Sequence, residues 1–509
     1  MDQGNLSDIQ DFYKEKCVLL TGATGFLGKL ILEKLLRSTE VQKIYLLVRR
    51  NRKDDPEKRV EKLLECPIFD GIKRISSECL SKIIVVHGDM SLIDLGLEEK
   101  ILKNIVKEVN CVFHTAVAAK VNQTIVDASL TNIRGTGELL NIARSMKKLK
   151  SFVLVSTAYS NCVKEEIDEK IYDLDVDVEE FITSIESDGV KGLEKYKSLT
   201  EKWPSSFTFT MALAENLIKN ESGKLPVAIV RCSSIIATNL GPIRGYIDSC
   251  HGPTGVVIGV GLGILRVFYG DDDKVGDIVT ADYVINNAIA AGWAVNEYKD
   301  YDKFEKLYLK DKVPVFNCVS SPNNPITWKT FGEIMDKYGK ESPSSKLMWY
   351  PYKIVTSCLY NYLLLKFLLH TIPAFILDIV LLCVGKRGRI SGFYDQMEGY
   401  TGNIQYFMNN SWVFNDSNNK ELIKGMTRKD RELFNFDHSD IDWESYLEYY
   451  MKGIRVYILK DEMNTVKQGQ KKLQTFKYLH YSLITLGCVI LYLFARFFLK
   501  MFLGIFFNV

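Results

Sequence analysis

The sequence has no excess of charge, no paired-cysteine motif and few histidines. Lysine and arginine total 65 against 63 for aspartate and glutamate, a net charge of +2 that gives no indication of nucleic-acid binding. The mean hydropathy of −0.03 excludes a polytopic membrane protein. The eleven cysteines form no CxxC motif, and the six histidines lack metal-ligand spacing. A disulfide framework and a metal site are therefore not expected.

Length and composition are those of a globular protein with more than one domain. A chain of 509 residues, 47% of them apolar and 25% charged, has room for two or three domains. The N-terminal stretch MDQGNLSDIQDFYKEK is polar and acidic, without the apolar core of a signal peptide. Together with the unpaired cysteines, this predicts a body that faces the reducing cytosol.

Short apolar runs alternate with polar stretches of helical spacing through the first part of the chain. Such alternation is typical of a parallel sheet buried on both faces. The sequence thus predicts the α/β class, with a doubly wound Rossmann sheet over residues 1–345 and a smaller helical domain over residues 346–465. The runs cover residues 17–21, 44–48, 83–86, 110–114, 151–156 and 226–231.

A glycine-rich loop separates the first apolar run from the first predicted helix. The segment TGATGFLG places Gly22, Gly25 and Gly28 there. Glycines in this context permit a tight turn, close approach to a pyrophosphate and close packing of helix on sheet. The helix start offers unpaired N–H groups to phosphate. This indicates a dinucleotide site, with an ordinary strand-to-helix turn as the alternative.

The end of the second run decides between the two nicotinamide dinucleotides. A site for NAD usually has a carboxylate there, whereas this chain has Arg49, Arg50, Asn51, Arg52 and Lys53. Guanidinium groups suit a 2′-phosphate, which favours NADPH, although a solvated basic loop has the same composition. A later glycine series, Gly259, Gly261 and Gly263, is interpreted as a flexible loop near the substrate entrance.

The order of motifs resembles the fatty acyl-CoA reductases of animals and plants, which are extended short-chain dehydrogenases. The matching segments include TGATGFLGKLILEKLL, IYLLVR, VVHGDMS, VFHTA, NIRGTGELL, FVLVSTAYSN, LPVAIVRCSSI and FNFDHSDIDWESYLEYYMKGIRVYILK. The resemblance implies NADPH-dependent reduction of long-chain acyl-CoA to fatty alcohol, at the membrane of the endoplasmic reticulum or peroxisome. It also implies catalytic roles for Ser156 and Thr157. Cofactor contacts are implied for Gly22, Gly25, Phe26, Leu27, Gly28, Arg49, Arg52, Asp89 and Asn132.

The family's catalytic Tyr-x-x-x-Lys pair is missing. Alignment of WPSSFTFTMALAENLI puts Phe207 at the tyrosine position and Met211 at the lysine position. Further departures are Lys120, Asn122 and Cys232. The pairs Tyr308…Lys312 and Tyr362…Lys366 have the spacing but do not follow the STAY segment, so they are interpreted as chance matches.

Three readings of the function stay open on the sequence. The first is an active reductase in which other side chains compensate for Phe207 and Met211. The second is a catalytically impaired reductase-like protein that binds NADPH and acyl chains. The third, an extended dehydrogenase acting on sterols or sugar nucleotides, is disfavoured by the C-terminal match. Product analysis with acyl-CoA separates the first two.

A membrane anchor is predicted near the C-terminus. Residues 478–495 contain no charged side chain and would extend ~27 Å as a helix. We predict a transmembrane segment over residues 478–499, with an amphipathic or buried helix as the alternative. Four lysines before it keep the body cytosolic. Residues 354–384 contain Lys366 and Asp378, which are costly in lipid, so they are expected at the interface or around an acyl-chain tunnel.

Overall fold

The computed structural model describes residues 7–51, 53–75, 77–119, 123–297, 313–386 and 390–507. Seven parallel strands form its central sheet, in the order β7-β6-β5-β4-β1-β2-β3. The predicted doubly wound sheet is therefore confirmed. The strands are β1 Cys17–Thr21, β2 Lys43–Val48, β3 Ile83–His87, β4 Cys111–His114, β5 Ser151–Thr157, β6 Val227–Cys232 and β7 Val315–Cys318.

The strands are apolar because helices cover both faces of the sheet. Every residue of β1, β4, β5, β6 and β7 is buried, as expected for central parallel strands. In the register, Ser156 of β5 lies beside Arg231 of β6, and Thr157 beside Cys232. The helices of this part are α1 Asp8–Tyr13, α2 Phe26–Ser38, α3 Pro56–Leu64, α4 Asp70–Ile75, α5 Glu99–Glu108, α6 Ile125–Ser129, α7 Gly135–Ser145, α8 Val178–Asp188, α9 Lys197–Thr200, α10 Ser206–Glu221, α11 Pro253–Gly261, α12 Ala281–Glu297 and α13 Trp328–Glu341.

The region after the sheet is mostly helical, as predicted. Its helices are α14 Leu359–Lys366, α15 Ile372–Cys383, α16 Ile390–Asn409, α17 Ser417–Gly425, α18 Arg428–Leu433, α19 Trp443–Gly453 and α20 Val466–Phe507. The π-helical turn Phe367–Thr371 joins α14 to α15 without a break. Two-residue strands pair Val413–Phe414 with Glu166–Ile167. The domain boundary at residue 345 stays a prediction.

The C-terminal helices share a core with the sheet domain. Leu422, Phe434 and Tyr446 belong to the same buried apolar cluster as Leu30 and Ile289. Hydrogen bonds reinforce the contact, since the Tyr446 hydroxyl donates to the carbonyl of Ala237 at 2.6 Å. These helices therefore pack as one body with the sheet domain.

Two apolar helices extend along or away from this body and are largely not covered by it. Leu359–Cys383 and Met463–Phe502 are long and apolar enough to cross a membrane, and their side chains are mostly exposed. The predicted anchor, residues 478–499, lies within α20. The remaining short strands are Ser234–Ile236 with Ile278–Thr280, Val267–Tyr269 with Ile354–Thr356, and Val275–Gly276 with Ile326–Thr327.

Candidate functional site

A cleft of about 580 Å³ opens at the carboxyl ends of β1, β2 and β4. Gly22, Thr24 and Gly25 form one wall of this cleft. Gly22 has a positive φ of 75°, and a Cβ there would lie 2.7 Å from the backbone nitrogen of Ala116. A Cβ on Gly28 would collide with the carbonyl of Gly22. The loop therefore requires glycine for its turn and for close packing of α2.

The start of α2 is suited to a phosphate group. Gly25 is the N-cap of α2, and no side chain caps the first N–H groups. Phe26 and Leu27 follow in the first turn, where both pack against the core while remaining half-buried. Uncapped N–H groups and the positive end of the helix dipole attract an anion at this point.

The basic side of the cleft contains an arginine that the sequence analysis missed. Arg59 of α3 lines the cleft together with Arg49. Its guanidinium donates to the Thr24 hydroxyl at 2.7 Å and to the carbonyl of Arg49. Burial, and next the charge of Arg49, lower the pKa of Arg59. Two guanidinium groups thus stand next to the glycine loop, while Arg52 lies outside the described residues.

The remaining predicted cofactor residues occupy two different places. Asp89 lines the cleft, where its carboxylate accepts from the backbone N–H and the hydroxyl of Ser91. Asn132 is buried behind the wall instead. Its amide oxygen accepts from the N–H of Ala118 at 2.6 Å, and its amide nitrogen donates to Thr210 at 2.9 Å. Asn132 therefore links the cleft wall to α10.

A buried histidine, His114, holds the end of β1 just before the glycine loop. The Thr136 hydroxyl donates to the carbonyl of Asn132, so it accepts from Nε2 of His114 at 3.0 Å. Nδ1 of His114 then accepts from Thr21 at 2.8 Å. Burial lowers the pKa of His114 to about 4. The neutral imidazole thereby connects the end of β1 to α7.

This histidine gives the protein an acid-sensitive fold. Because the pKa of His114 is about 4 in the folded state and 6.5 in the reference state, the unfolded chain binds its proton first as the pH falls. We expect a loss of about 2 kcal/mol of stability at pH 5 relative to pH 8 from this group. Thermal unfolding of the detergent-solubilised chain measures it. His114→Gln should show a shallower decline over this range, and an identical decline would contradict the assignment.

Helix α10 carries the two residues at the positions of the family's tyrosine and lysine. Phe207 and Met211 are four residues apart, so they share one helix face. Both pack into the same apolar layer; Phe207 is half-buried and Met211 is 1% exposed. The predicted common face is thus confirmed, and it contains neither an acid nor a charge at these two positions.

The same helix face continues to Glu215, which holds the predicted catalytic serine. The hydroxyl of Ser156 donates to Glu215 at 2.5 Å, and Arg231 forms an ion pair with that carboxylate at 2.7 Å. Glu215 and Arg231 are almost completely buried. Thr157 accepts the N–H of Tyr159 at 3.2 Å. Both predicted hydroxyls therefore make structural hydrogen bonds, and their catalytic role stays a prediction.

The hydroxyls of Tyr159 and Tyr362 are both engaged in other hydrogen bonds. The hydroxyl of Tyr159 donates to the carbonyl of Asp277 at 3.3 Å, and burial raises its pKa further above the ordinary value. Tyr362 and Lys366 lie on α14, where Gln405 donates to the tyrosine hydroxyl at 3.2 Å. Lys120, Asn122, Tyr308 and Lys312 lie outside the described residues.

A second, apolar cavity of about 130 Å³ lies beside α11. The prediction of a flexible loop at Gly259–Gly263 is wrong, because residues up to Gly261 belong to this helix. Packing of Gly259 against Leu265 overrides the low helix propensity of glycine. The ring of Phe407, which lines the cavity, lies 4.8 Å from that of Tyr159. Other lining residues are Val256, Val260, Gly261, Phe331, Met335, Ile404 and Met408.

Comparisons with known proteins agree with this architecture. Two family models, both described as male sterility protein, match residues 20–288 (the NAD-binding model) and 369–461 (the Sterile model). The fatty acyl-CoA reductase wat of Drosophila melanogaster is 34% identical over 477 residues, which cover 94% of this chain and 90% of the relative. Fatty acyl-CoA reductase 1 of Rattus norvegicus is 33% identical over 490 residues, which cover 95% and 92%.

Solved structures show the same fold at low identity. The terminal R domain from the myxalamid PKS-NRPS biosynthetic pathway aligns with a TM-score of 0.57 at 17% identity, covering 87% of this chain and 91% of that one. The reductase domain of the nonribosomal peptide synthetase from Mycobacterium tuberculosis aligns with a TM-score of 0.54 at 18% identity, covering 88% and 93%. These likenesses establish the fold of the reductase body.

Proposed function

Because the chain belongs to the fatty acyl-CoA reductase family of nicotinamide-dependent oxidoreductases, we propose that it binds NADPH and reduces long-chain acyl-CoA slowly. The observation that carries this proposal is the combination of a complete cofactor cleft with an incomplete catalytic face. The cleft has its glycine loop and two arginines. Helix α10 has Phe207 and Met211 where the family has a proton donor and its lysine partner.

The cleft suits NADPH better than NADH. Gly22 and Gly25 line the cleft at the start of α2, where the uncapped N–H groups would bind a pyrophosphate. Arg49 and Arg59 line the side where the second strand ends, and a guanidinium binds phosphate oxygens in a bidentate manner. Asp54 makes its ion pairs with Lys62 at 2.7 Å and Lys58 at 3.8 Å, so its charge is occupied away from a ribose. We assign the 2′-phosphate to the two arginines.

The absence of the tyrosine–lysine pair limits proton transfer rather than ligand binding. When bound, one NADPH would supply a hydride to the thioester carbonyl, with loss of the CoA thiolate to leave an aldehyde, and a second NADPH would supply a hydride to that aldehyde. Negative charge then develops on the carbonyl oxygen, which an acid or hydroxyl must meet. Phe207 has no proton to give, and the hydroxyl of Ser156 is already bonded to Glu215. Loss of a positioned acid typically reduces a rate by ~10²–10⁴-fold.

The acyl chain is assigned to the apolar cavity. Its walls are formed mainly by aliphatic and aromatic side chains of α11, α13 and α16. An apolar cavity of comparable size, about 150 Å³, binds a ligand as small as benzene, so this cavity would hold only one segment of a long acyl chain. Since Phe407 connects this cavity to Tyr159 beyond the end of β5, a chain in it would point its thioester toward the nicotinamide side of the cleft.

Filling the cavity should weaken acyl binding without affecting cofactor binding. Val260→Trp adds an indole to the cavity wall, so we expect at least a tenfold weaker affinity for palmitoyl-CoA, about 1.4 kcal/mol. NADPH affinity should be unchanged in the same calorimetric titration. The control is Val190→Trp at a valine that is 73% exposed. Equal palmitoyl-CoA affinity in both variants would place the acyl chain elsewhere.

A protein that binds both ligands without turnover is the second candidate function. The burial of Met211 in an apolar layer favours it, because a site that no longer transfers protons can pack more tightly. The two candidates are separated by product analysis of the full-length chain with NADPH and palmitoyl-CoA. Slow release of hexadecanol supports the reductase, whereas binding of both ligands without aldehyde or alcohol supports the second.

The location follows from α20. We propose that this helix anchors the chain in the endoplasmic reticulum or peroxisomal membrane, with the reductase body on the cytosolic side. Four lysines, Lys467, Lys471, Lys472 and Lys477, precede its uncharged stretch, in agreement with the positive-inside rule. Its side chains from residue 478 to residue 502 are exposed almost without interruption, as lipid-facing residues would be.

A further inference from the structure

The helix Leu359–Cys383, here called the surface helix, has its charged side chains and its histidine turned toward the protein and most of its large apolar side chains turned outward, while Asn361 and Thr371 are exposed. This is the reverse of a helix on a water-facing surface. Tyr362, Lys366, His370, Ala374 and Asp378 recur every four residues and are buried or half-buried. The exposed side chains are mostly large and apolar: Leu359, Tyr360, Leu363, Leu364, Phe367, Leu368, Phe375, Ile376, Leu377, Ile379, Val380 and Leu382.

The inward polar groups are satisfied by the protein body. Nε2 of His370 accepts the backbone N–H of Arg266 at 3.0 Å. The carboxylate of Asp378 accepts from the N–H of Ile390 at 2.6 Å and from the hydroxyl of Ser391 at 2.7 Å, so it caps α16. The cost that Asp378 would incur in lipid is therefore avoided by its position on the inward side.

Contacts along the whole helix fix its orientation. Tyr362 near one end lies 5.8 Å from the ring of Tyr269, and Asp378 near the other end holds the start of α16. These two residues are sixteen positions apart, about 24 Å along a helix axis. The protein therefore contacts one side of the helix near both of its ends, as expected of a helix that lies along a surface rather than across a bilayer.

The neighbouring anchor identifies that surface. The rings of Trp349 and Phe476 are 5.7 Å apart, and Tyr352 lies 4.8 Å from His480 near the start of the uncharged part of α20. The surface helix begins seven residues after Tyr352. Tryptophan and tyrosine prefer the membrane–water boundary. Both apolar surfaces thus start from one aromatic cluster, which α20 places at the headgroup level.

We propose that the surface helix lies in the plane of the membrane, with its outward apolar face in the acyl region of the cytosolic leaflet. The proposal rests on the anchoring role given above to α20. The surface helix adds a second membrane contact, which holds the body against the bilayer. A helix with such a face binds the membrane interface because its apolar side chains are removed from water there.

This seating brings the acyl cavity close to lipid. Tyr394 and Gln405 of α16 contact the surface helix through His370 and Tyr362. Ile404 and Met408 of the same helix line the apolar cavity. Helix α16 therefore lies between the cavity and the surface helix, and the bilayer beyond the surface helix is where long acyl chains and fatty alcohols accumulate.

The test uses the full-length chain in phosphatidylcholine vesicles. The exposed cysteines Cys250, Cys358, Cys383 and Cys488 are changed to serine, and one new cysteine carries an environment-sensitive fluorophore. The probe positions are Leu364→Cys and Ile376→Cys. The control is Val190→Cys, an exposed apolar position on the reductase body. Lipids with a nitroxide at defined depths act as quenchers.

We expect loss of fluorescence at positions 364 and 376, at the same depth, and none at position 190. Depths that differ by about 18 Å, the axial separation of twelve residues, would mean a spanning helix and overturn the proposal. Absence of quenching would overturn it as well. If the probes are shielded from water but not quenched, and the chains cross-link to one another, the outward face packs against a second copy of the chain instead. These readouts do not depend on turnover, so a chain that proves inactive as a reductase still gives them.

Discussion

Replacing Phe207 by tyrosine and Met211 by lysine together will raise the rate of acyl-CoA reduction by ~10²–10⁴-fold. The two side chains share a face of α10 next to the end of β5, so the new hydroxyl and ammonium would stand one helical turn apart. The lysine would lower the pKa of the tyrosine and donate to the cofactor ribose. Initial rates of NADPH oxidation with palmitoyl-CoA give the measurement.

The matched control for this gain is Phe207→Leu with Met211→Leu, which keeps the face apolar. This control should leave the rate at the wild-type level. Met211 is 1% exposed, so a lysine there is desolvated until the cofactor binds. NADPH titration and thermal unfolding therefore accompany the rates. A double variant that folds and binds NADPH but reduces acyl-CoA no faster than wild type would show that the face is not the site of proton transfer.

Removing Arg59 will weaken NADPH binding by ~10–100-fold, because a hydrogen bond to a charged group contributes roughly 1.5–3 kcal/mol. Arg59 also holds Thr24 and the carbonyl of Arg49, so its loss loosens the loop that positions the second guanidinium. NADH has no 2′-phosphate, and its affinity should change little. Direct titration of Arg59→Ala with both cofactors gives the ratio.

Lys58→Ala is the control for this loss. Lys58 is the preceding residue of α3, its side chain is 62% exposed, and it forms an ion pair with Asp54 at 3.8 Å. Its removal should leave both affinities near those of wild type. If Arg59→Ala weakens the binding of NADPH and the binding of NADH by the same factor, Arg59 supports the glycine loop and does not contact the 2′-phosphate.

The sheet was predictable where apolar runs were continuous. Six of its strands match the predicted runs within a residue or two, whereas β7, Val315–Cys318, was not identified. Its run is short and interrupted by Asn317, whose amide donates to the carbonyl of Asn415 at 2.7 Å. Such a strand is defined by partners about a hundred residues away, which periodicity along the chain does not show.

The functional site was predictable in its local motif and not in its long-range pairs. The glycine loop and Arg49 were found because adjacent residues carry the signal. No sequence motif pointed to Arg59, apart from its place on a helix that follows the basic segment. The bond from Ser156 to Glu215 joins residues 59 positions apart. The sequence likewise gave no means of placing Asp378 on the inward side of its helix.

Single-turnover oxidation of NADPH, with NADPH and palmitoyl-CoA both saturating the full-length chain, tests the central claim most directly. The claim is that the cofactor cleft is intact while the proton-donating face is not. We predict that both ligands bind and that hydride transfer is slower than in the rat fatty acyl-CoA reductase 1, measured in parallel, by two or more orders of magnitude. A rate equal to that of the rat enzyme would contradict the account.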